Sequence, residues 1–170
     1  MYQETYVEQI IKRTVNKQEI TLKNIFLVLM IFFGFMTFFA VKLYFLILFI
    51  IFAVLYYTKN KQINTEYEYL YLEGTLEIDR VCFQSKRKKM VALDMSEVQV
   101  VAPEGSQKAL AYDHGQMSVM RFGSGDADAQ VFIMMARIKD KNKQVKIFWE
   151  PNRKLLEAMK NNISDRIFTE

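Results

Sequence analysis

The side chains that could support catalysis are few, and their spacing argues against a catalytic centre. His114 is the single histidine, and it lies close in sequence to Asp113 and Ser118. These residue types form hydrolytic triads, but close neighbours in sequence seldom provide the geometry that a triad requires. The sequence also lacks a glycine-rich phosphate loop, a metal-spaced histidine cluster and a nucleophile elbow. We therefore expect that the protein is not an enzyme and uses no cofactor.

Two other groups of residues suit structural roles better than chemical ones. Asp126 and Asp128 follow Gly125, where carboxylates usually shape a turn, although they also suit a hard cation. Cys82 is the only cysteine, which excludes an intrachain disulfide and disfavours a thiolate metal site. Its place in a strand pattern predicts a small buried side chain. We expect no bound metal.

The strongest local charge feature is the basic run, which consists of Lys86, Arg87, Lys88 and Lys89. The pattern places it in a turn between two predicted strands. Basic clusters beside a membrane attract anionic lipid, at about 1 kcal/mol per charge near an acidic leaflet. The alternative role is a solvated hairpin tip that protects a sheet edge from aggregation. Because the net charge of +4 is modest and aromatic residues do not interleave the basic ones, we expect no nucleic-acid partner.

Two apolar stretches precede the basic run and predict a membrane anchor. Ile25–Val41 and Leu43–Tyr57 carry no charge and are separated by Lys42. Each half is about 25 Å long as a helix, slightly short for a hydrocarbon core. Because a charge at the bilayer centre is costly, Lys42 belongs at the tip of a transmembrane helical hairpin over residues 24–58. One long tilted helix and a re-entrant pair are the alternatives.

Basic residues flank the helical hairpin and predict its orientation. They are Lys12, Arg13, Lys17 and Lys23 before it, and Lys59 and Lys61 after it. By the positive-inside rule, the protein crosses the plasma membrane twice and both termini are cytoplasmic. A cleaved signal peptide is not expected, because the preceding segment is long and mixed in charge and no small-residue cleavage site follows.

Residues 1–23 show a weak helical period. Val7, Ile10, Ile11 and Val15 recur at roughly helical spacing, with basic residues between them. The pattern predicts a cytoplasmic amphipathic lead-in. Such a helix either lies on the inner leaflet or packs against the following domain.

After the helical hairpin the period changes to two, which is typical of strands. Tyr67, Tyr69 and Tyr71 share one face of the first strand, and Glu73–Gly74 predicts a tight turn. A change of parity predicts a bulge near Asp79–Arg80. The further strand patterns lie at Leu76–Phe83, Val91–Leu93, Val98–Val100, Met117–Phe122, Val131–Ile138 and Val145–Trp149.

The last pattern is that of an amphipathic helix. Glu150–Pro151 predicts its entry, since proline is tolerated at the first helical position. Leu155, Leu156, Met159 and Ile163 lie on one face. We expect this face to close the open end or the inner face of the preceding sheet.

About seven strands followed by one helix resemble the pleckstrin-homology (PH) fold, and their place after a membrane hairpin resembles the bacterial PH-like membrane proteins. The residues that carry the resemblance are Glu66–Tyr69, Gly74, Ile78, the basic run, Val98, Val100 and Phe148–Pro151. The resemblance implies a membrane-anchored α+β protein. Residues 64–170 would form a PH-like cytoplasmic domain, a seven-stranded β-sandwich or barrel capped by the C-terminal helix. The turn Glu73–Gly74 would correspond to the strand-1/strand-2 loop of phosphoinositide-binding relatives, but it lacks the basic residues of that loop.

Two classes of function fit such a protein. One is a non-enzymatic interaction module that binds a protein partner or anionic lipid at the inner leaflet. The other is an accessory subunit whose helical hairpin packs in a larger membrane complex, where Gly34 and Thr37 would allow close helix contact. A transporter acting alone is not expected, because the two spans carry no intramembrane polar site.

Overall fold

The chain divides into two compact units. A computed structural model describes residues 6–40, 43–112, 117–138 and 143–168. The helical unit comprises Thr14–Thr65 and Cys82–Ser85, and the sheet unit comprises the remainder. Lys42, at the predicted tip of the helical hairpin, lies outside the described residues.

The helical unit contains two long apolar helices. α1 covers Lys17–Ala40 and α2 covers Leu43–Ile63, and each is long and apolar enough to cross a membrane. At 1.5 Å per residue they measure about 36 Å and about 32 Å, because both helices continue through polar residues beyond the uncharged runs.

The two helices meet through aromatic rings and one glycine. Phe33 and Phe52 stack with their ring centroids 5.4 Å apart. A Cβ atom at Gly34 would lie 3.1 Å from the Phe49 ring, so glycine allows the helices to approach here. Thr37 Oγ1 donates a hydrogen bond to the Phe33 carbonyl of its own helix, at 2.8 Å. The close contact expected at Gly34 is therefore made inside the helical hairpin.

The sheet unit contains two four-stranded sheets. The first sheet has the order β1-β2-β3-β4, and the second sheet has the order β5-β7-β8-β6. The pairs β1–β2, β5–β7 and β7–β8 are antiparallel, whereas β6 and β8 are parallel. The strands are β1 Tyr6–Lys12, β2 Thr65–Leu72, β3 Thr75–Cys82, β4 Lys86–Asp94, β5 Val98–Pro103, β6 Ser118–Arg121, β7 Phe132–Ile138 and β8 Lys143–Trp149.

One core draws side chains from both sheets and from the last helix. The predicted tyrosine face is part of it, because Tyr69 and Tyr71 are fully buried. Tyr69 packs edge-on against Trp149 of β8, with the ring centroids 5.5 Å apart. The period-two pattern after the helical hairpin therefore identified the residues that join the two sheets.

The last helix closes this core as expected. α4 covers Arg153–Ile163, and its buried residues are Leu155, Leu156, Ala158, Met159 and Ile163. Asn152 Oδ1 accepts a hydrogen bond from the Leu155 N–H at 2.8 Å. This cap satisfies an N–H group that the first helical turn leaves unpaired. The helix therefore begins after Asn152, and Pro151 precedes the cap.

β1 is the main correction to the fold predicted from the sequence. Tyr6–Lys12 form a strand that pairs antiparallel with β2, so the helical lead-in predicted over residues 1–23 is wrong there. Val7 faces the core, whereas Ile10 is 53% exposed. A segment of only seven residues fits a helical period and a strand period almost equally well. Its pairing with β2 determines that it is a strand. The described residues thus form eight strands, and the sheet unit extends beyond residues 64–170.

The helical hairpin is inserted between two neighbouring strands. Lys12 is the register partner of Glu66, and Lys12 Nζ lies 4.0 Å from Glu66 Oε1. Such antiparallel strands are commonly joined by a two-residue turn, but here α1 and α2 form the connection. Glu73–Gly74 joins β2 to β3, so it does not correspond to the connection between the first two strands.

Candidate functional site

The basic run lies on a strand and not in a turn. β4 begins at Lys86 and is an edge strand of the first sheet. The turn before it is tight, with Phe83 and Gln84 both at a φ of 53°, as in two-residue hairpin turns. The turn prediction for the run is wrong because consecutive basic residues also occur on edge strands, where they prevent edge-to-edge association.

A buried carboxylate holds Arg87. Glu68 of β2 is only 5% exposed. Arg87 Nη2 lies 2.8 Å from Glu68 Oε1 and 2.6 Å from Glu68 Oε2. Arg87 Nε lies 3.9 Å from Asp79 Oδ2 on β3. The charge of Arg87 is therefore balanced by carboxylates on β3, which neighbours β4, and on β2, the next strand across the sheet.

Glu68 and Glu8 form a pair of carboxyl groups on the same face of the first sheet. Burial raises the pKa of Glu68, and its hydrogen bond with Glu8 raises it further, whereas Arg87 lowers it. The pKa of Glu8 is lowered, first by the hydrogen bond that the Tyr6 hydroxyl donates at 2.7 Å and then by Glu68. The hydrogen bond within the pair thus shifts the two pKa values in opposite directions, raising that of Glu68 and lowering that of Glu8.

The remaining lysines of the basic run differ in their partners. Lys89 Nζ lies 2.7 Å from Glu77 Oε1 on β3. Lys86 and Lys88 are exposed, and neither forms an ion pair with any residue that the structure describes. Successive side chains of a strand point to opposite faces, so Arg87 and Lys89 share the face that carries the carboxylates, and Lys86 and Lys88 lie on the other. The basic run therefore contains two balanced cations and two cations that are available to a ligand.

The basic residues predicted to flank the helical hairpin occupy two kinds of position. Lys12 lies on β1 and Arg13 follows it. The others lie within the helices, near the helix ends that are far from the tip: Lys17 and Lys23 in α1, and Lys59 and Lys61 in α2. These four lysines thus lie near the end of α1 that follows β1 and the end of α2 that precedes β2.

The carboxylates considered as cation ligands and the single thiol have structural roles. Asp126 Oδ1 accepts a hydrogen bond from the Asp128 N–H at 3.2 Å, which shapes the turn. Cys82 is buried, and its Sγ atom lies 3.7 Å from Thr65 Oγ1. Among the described residues, no group of three His, Cys, Asp or Glu side chains is placed to hold a metal ion.

The three residues considered for a hydrolytic triad do not form a described site. Ser118 begins β6 and is exposed. Asp113 and His114 lie outside the described residues. The geometry of the described chain therefore gives no support to a triad.

A polar corner that the sequence analysis missed joins the two sheets. The Tyr69 hydroxyl donates to the Phe122 carbonyl and accepts from the Glu150 N–H at 3.3 Å. Glu150 Oε1 accepts from the Ser124 N–H and hydroxyl at 2.8 Å and 3.0 Å. Gln9 Nε2 donates to the Glu150 carbonyl at 2.7 Å. Burial raises the pKa of the Tyr69 phenol, which keeps the phenol protonated. Since these residues are far apart in the chain, no local pattern indicated the corner.

The second sheet carries another cationic surface on its outward face. β6 pairs with β8 so that Val119 lies opposite Lys146 and Arg121 lies opposite Phe148. These four residues form the β6–β8 patch. The Arg121 guanidinium lies 3.8 Å from the centroid of the Phe148 ring, and Lys146 Nζ lies 5.4 Å from it. The sequence showed both strands but gave no sign that they are neighbours.

A short helix covers another part of the same face. α3 covers Gln107–Ala111 in the connection between β5 and β6. Ser106 caps it by accepting a hydrogen bond from the Ala109 N–H at 3.2 Å. Ala109 packs with side chains of β5, β7 and β8 in a second apolar cluster. The β6–β8 patch lies beside this covered region.

Comparison with known protein families gives a match that covers nearly the whole chain. A family model described as "Bacterial PH-like domain (DUF6106)" matches residues 3–169. No curated protein and no solved structure matches the chain. The matched residues include β1, both long helices and α4, so the family pattern contains the helical hairpin together with the sheets.

Proposed function

The chain belongs to the bacterial PH-like domain family, as its sequence patterns indicated, and from this premise we propose that it is a membrane-anchored, non-enzymatic interaction module. PH-like domains are generally non-catalytic interaction modules. α1 and α2 are candidate membrane spans. We further propose that the ligand is anionic lipid of the inner leaflet and that Lys86 and Lys88 contact it.

The pairing of β1 with β2 supports an anchor that crosses the membrane twice. Lys12 and Glu66 are register partners, and partners in an antiparallel pair lie about 5 Å apart. The chain must therefore enter and leave the helical hairpin on one side of the membrane. The lysines at the helix ends are on that side, and the positive-inside rule makes it cytoplasmic. Both termini are then cytoplasmic.

The exposure of Lys86 and Lys88 is the observation that carries the lipid proposal. Both lie on the edge strand β4, and no described carboxylate neutralises them. Each contributes about 1 kcal/mol near an acidic leaflet. An anchored domain needs no more than such a weak contact, because its effective concentration at the membrane is high. The proposed contact is smaller than the four-residue run, since carboxylates hold Arg87 and Lys89.

Amine labelling of the full chain in lipid nanodiscs tests this proposal. We expect Lys86 and Lys88 to react several-fold more slowly in nanodiscs rich in anionic lipid than in neutral ones. The protection should disappear at high salt, because the screening length falls from about 10 Å at 0.1 M to about 3 Å at 1 M. Lys154 and Lys160, which are exposed on α4, serve as internal references.

The relative rates decide the outcome. Selective, salt-sensitive protection of Lys86 and Lys88 supports a contact at the β4 edge. Equal slowing of all four lysines would reflect only the general surface potential and would contradict that contact. Identical rates in neutral and anionic nanodiscs would also contradict it.

A further inference from the structure

We propose that the free edge of β6, together with the β6–β8 patch, binds an extended acidic segment of a partner protein. This surface belongs to the second sheet, whereas the proposed lipid contact belongs to the first. The inference is therefore independent of the role of Lys86 and Lys88. It rests on a strand edge, a stacked arginine and an exposed apolar side chain that occur together.

β6 offers backbone groups to an added strand. It is the last strand of the second sheet. The Phe122 N–H donates to the Phe148 carbonyl of β8 at 2.8 Å. Because the backbone groups of successive strand residues point to opposite sides, those of Val119 and Arg121 point away from β8. An incoming strand can pair with them without disturbing the existing ladder.

The opposite edge of the second sheet is already occupied. Ile167 forms a parallel bridge with Val101 of β5, and the Phe168 N–H donates to the Val101 carbonyl at 2.8 Å. β6 has no such neighbour among the strands that the structure describes. An added strand therefore has one place to extend this sheet within the described chain, and that place is β6.

Arg121 gives the β6 edge a preference for carboxylates. It is exposed, and it forms no ion pair with a described residue. Its guanidinium stacks 3.8 Å from the Phe148 ring centroid, which leaves the N–H donors in its plane for a planar, two-pronged acceptor. Lys146 lies over the same ring.

Val119 supplies the apolar contact that an added strand needs. It is 57% exposed and shares the outward face with Arg121. On an incoming strand, every second side chain would lie over this face. The surface therefore fits a segment in which acidic residues alternate with β-branched ones, since the latter favour the extended conformation.

A blocked octapeptide of alternating threonine and glutamate is a suitable probe. We expect saturable binding to the full chain in detergent, measured by fluorescence anisotropy. A matched peptide with glutamine in place of glutamate should bind at least about 10-fold more weakly, because a charge-assisted pair is lost. Arg121→Gln should cause a similar loss for the glutamate peptide and leave binding of the glutamine peptide unchanged.

Two variants separate the strand edge from the charge and from the lipid contact. Val119→Pro removes an N–H that points away from β8, so it should abolish binding of both peptides while the ladder with β8 remains. The double variant Lys86→Gln/Lys88→Gln should bind the peptides like the wild type. Arg121→Gln changes an exposed side chain, so the charge test stands even where the proline variant fails to fold.

Several results would overturn the inference. They are absence of saturable binding, equal affinity for the two peptides, and unchanged affinity in Arg121→Gln or in folded Val119→Pro. A further one is protection of Lys146 in anionic nanodiscs without peptide binding, which would assign the patch to the membrane surface.

Discussion

Removing β1 is expected to abolish cooperative folding of the sheet unit. A fragment of residues 64–170 lacks Tyr6–Lys12, and we expect it to show no sharp thermal transition by circular dichroism. β1 provides seven register pairs to β2, and Val7 is only 4% exposed in the core. Gln9 also donates to the Glu150 carbonyl at 2.7 Å and accepts from the Asn152 N–H at 2.8 Å. The fragment loses all of these contacts and exposes the edge of β2.

A matched control is a chain in which β1 is linked directly to β2, so that β1 is present and the two long helices are absent. An Asn-Gly turn between Arg13 and Thr65 replaces the helical hairpin, since the register pair Lys12–Glu66 leaves room for a two-residue connection. We expect this chain to be soluble and to unfold in one sharp transition. A sharp transition at the same temperature in the 64–170 fragment would show that β1 is not needed. Failure of the linked chain to fold would show that the sheets depend on the helical hairpin.

Replacing Arg87 with glutamine is expected to lower the free energy of unfolding by about 2 kcal/mol at neutral pH, because it removes the partner of the buried Glu68 carboxylate. Arg87 also lowers the pKa of Glu8, and Asp79 lies within 3.9 Å of Arg87. Both glutamates, Glu68 and Glu8, are thus favoured in their charged form by Arg87. The cost of the substitution should therefore shrink as the pH falls and these groups are protonated.

The sign for Glu68 follows from its raised pKa. A carboxyl group whose pKa is raised by folding stabilises the protein below its unfolded pKa, and this stabilisation is lost as the pH rises through the folded pKa. Without Arg87 the pKa of Glu68 rises further, so this loss is larger in the variant. The difference between wild type and Arg87→Gln should accordingly be largest at neutral pH and smallest in acid.

Two further variants control this prediction. Glu68→Gln in the Arg87→Gln background removes the unpaired charge and should recover part of the stability. Arg153→Gln breaks an ion pair whose arginine is 92% exposed, and it should change the free energy of unfolding by less than about 0.5 kcal/mol. Equal, pH-independent effects of Arg87→Gln and Arg153→Gln in denaturant titrations would contradict the account.

Local patterns in the sequence predicted most of the secondary structure. The apolar runs predicted α1 and α2, and alternation together with short apolar runs between Tyr67 and Trp149 predicted seven of the eight described strands. The spacing of Leu155, Met159 and Ile163 predicted α4 and its buried face. In each case the residues that define the element are close together in the chain, so their period alone carries the information.

The features that the sequence did not predict depend on which strands are neighbours. β1 is recognisable as a strand only through its pairing with β2, which follows the helical hairpin in the sequence. The basic run is partly neutralised only because β4 places Arg87 beside Glu68. The β6–β8 patch likewise needs a parallel pairing that no local period indicates. Alternation shows which side chains share a face, but not which strand lies alongside.

Cysteine accessibility in cells tests the membrane-anchored arrangement most directly. In a Cys82→Ser background, single cysteines are introduced as Ile10→Cys on β1, Lys88→Cys on β4 and Lys42→Cys at the predicted tip. We expect a membrane-impermeant thiol reagent to label position 42 in intact cells, and to label positions 10 and 88 only after permeabilisation. Labelling of positions 10 and 88 from outside, or on opposite sides of the membrane, would contradict the account.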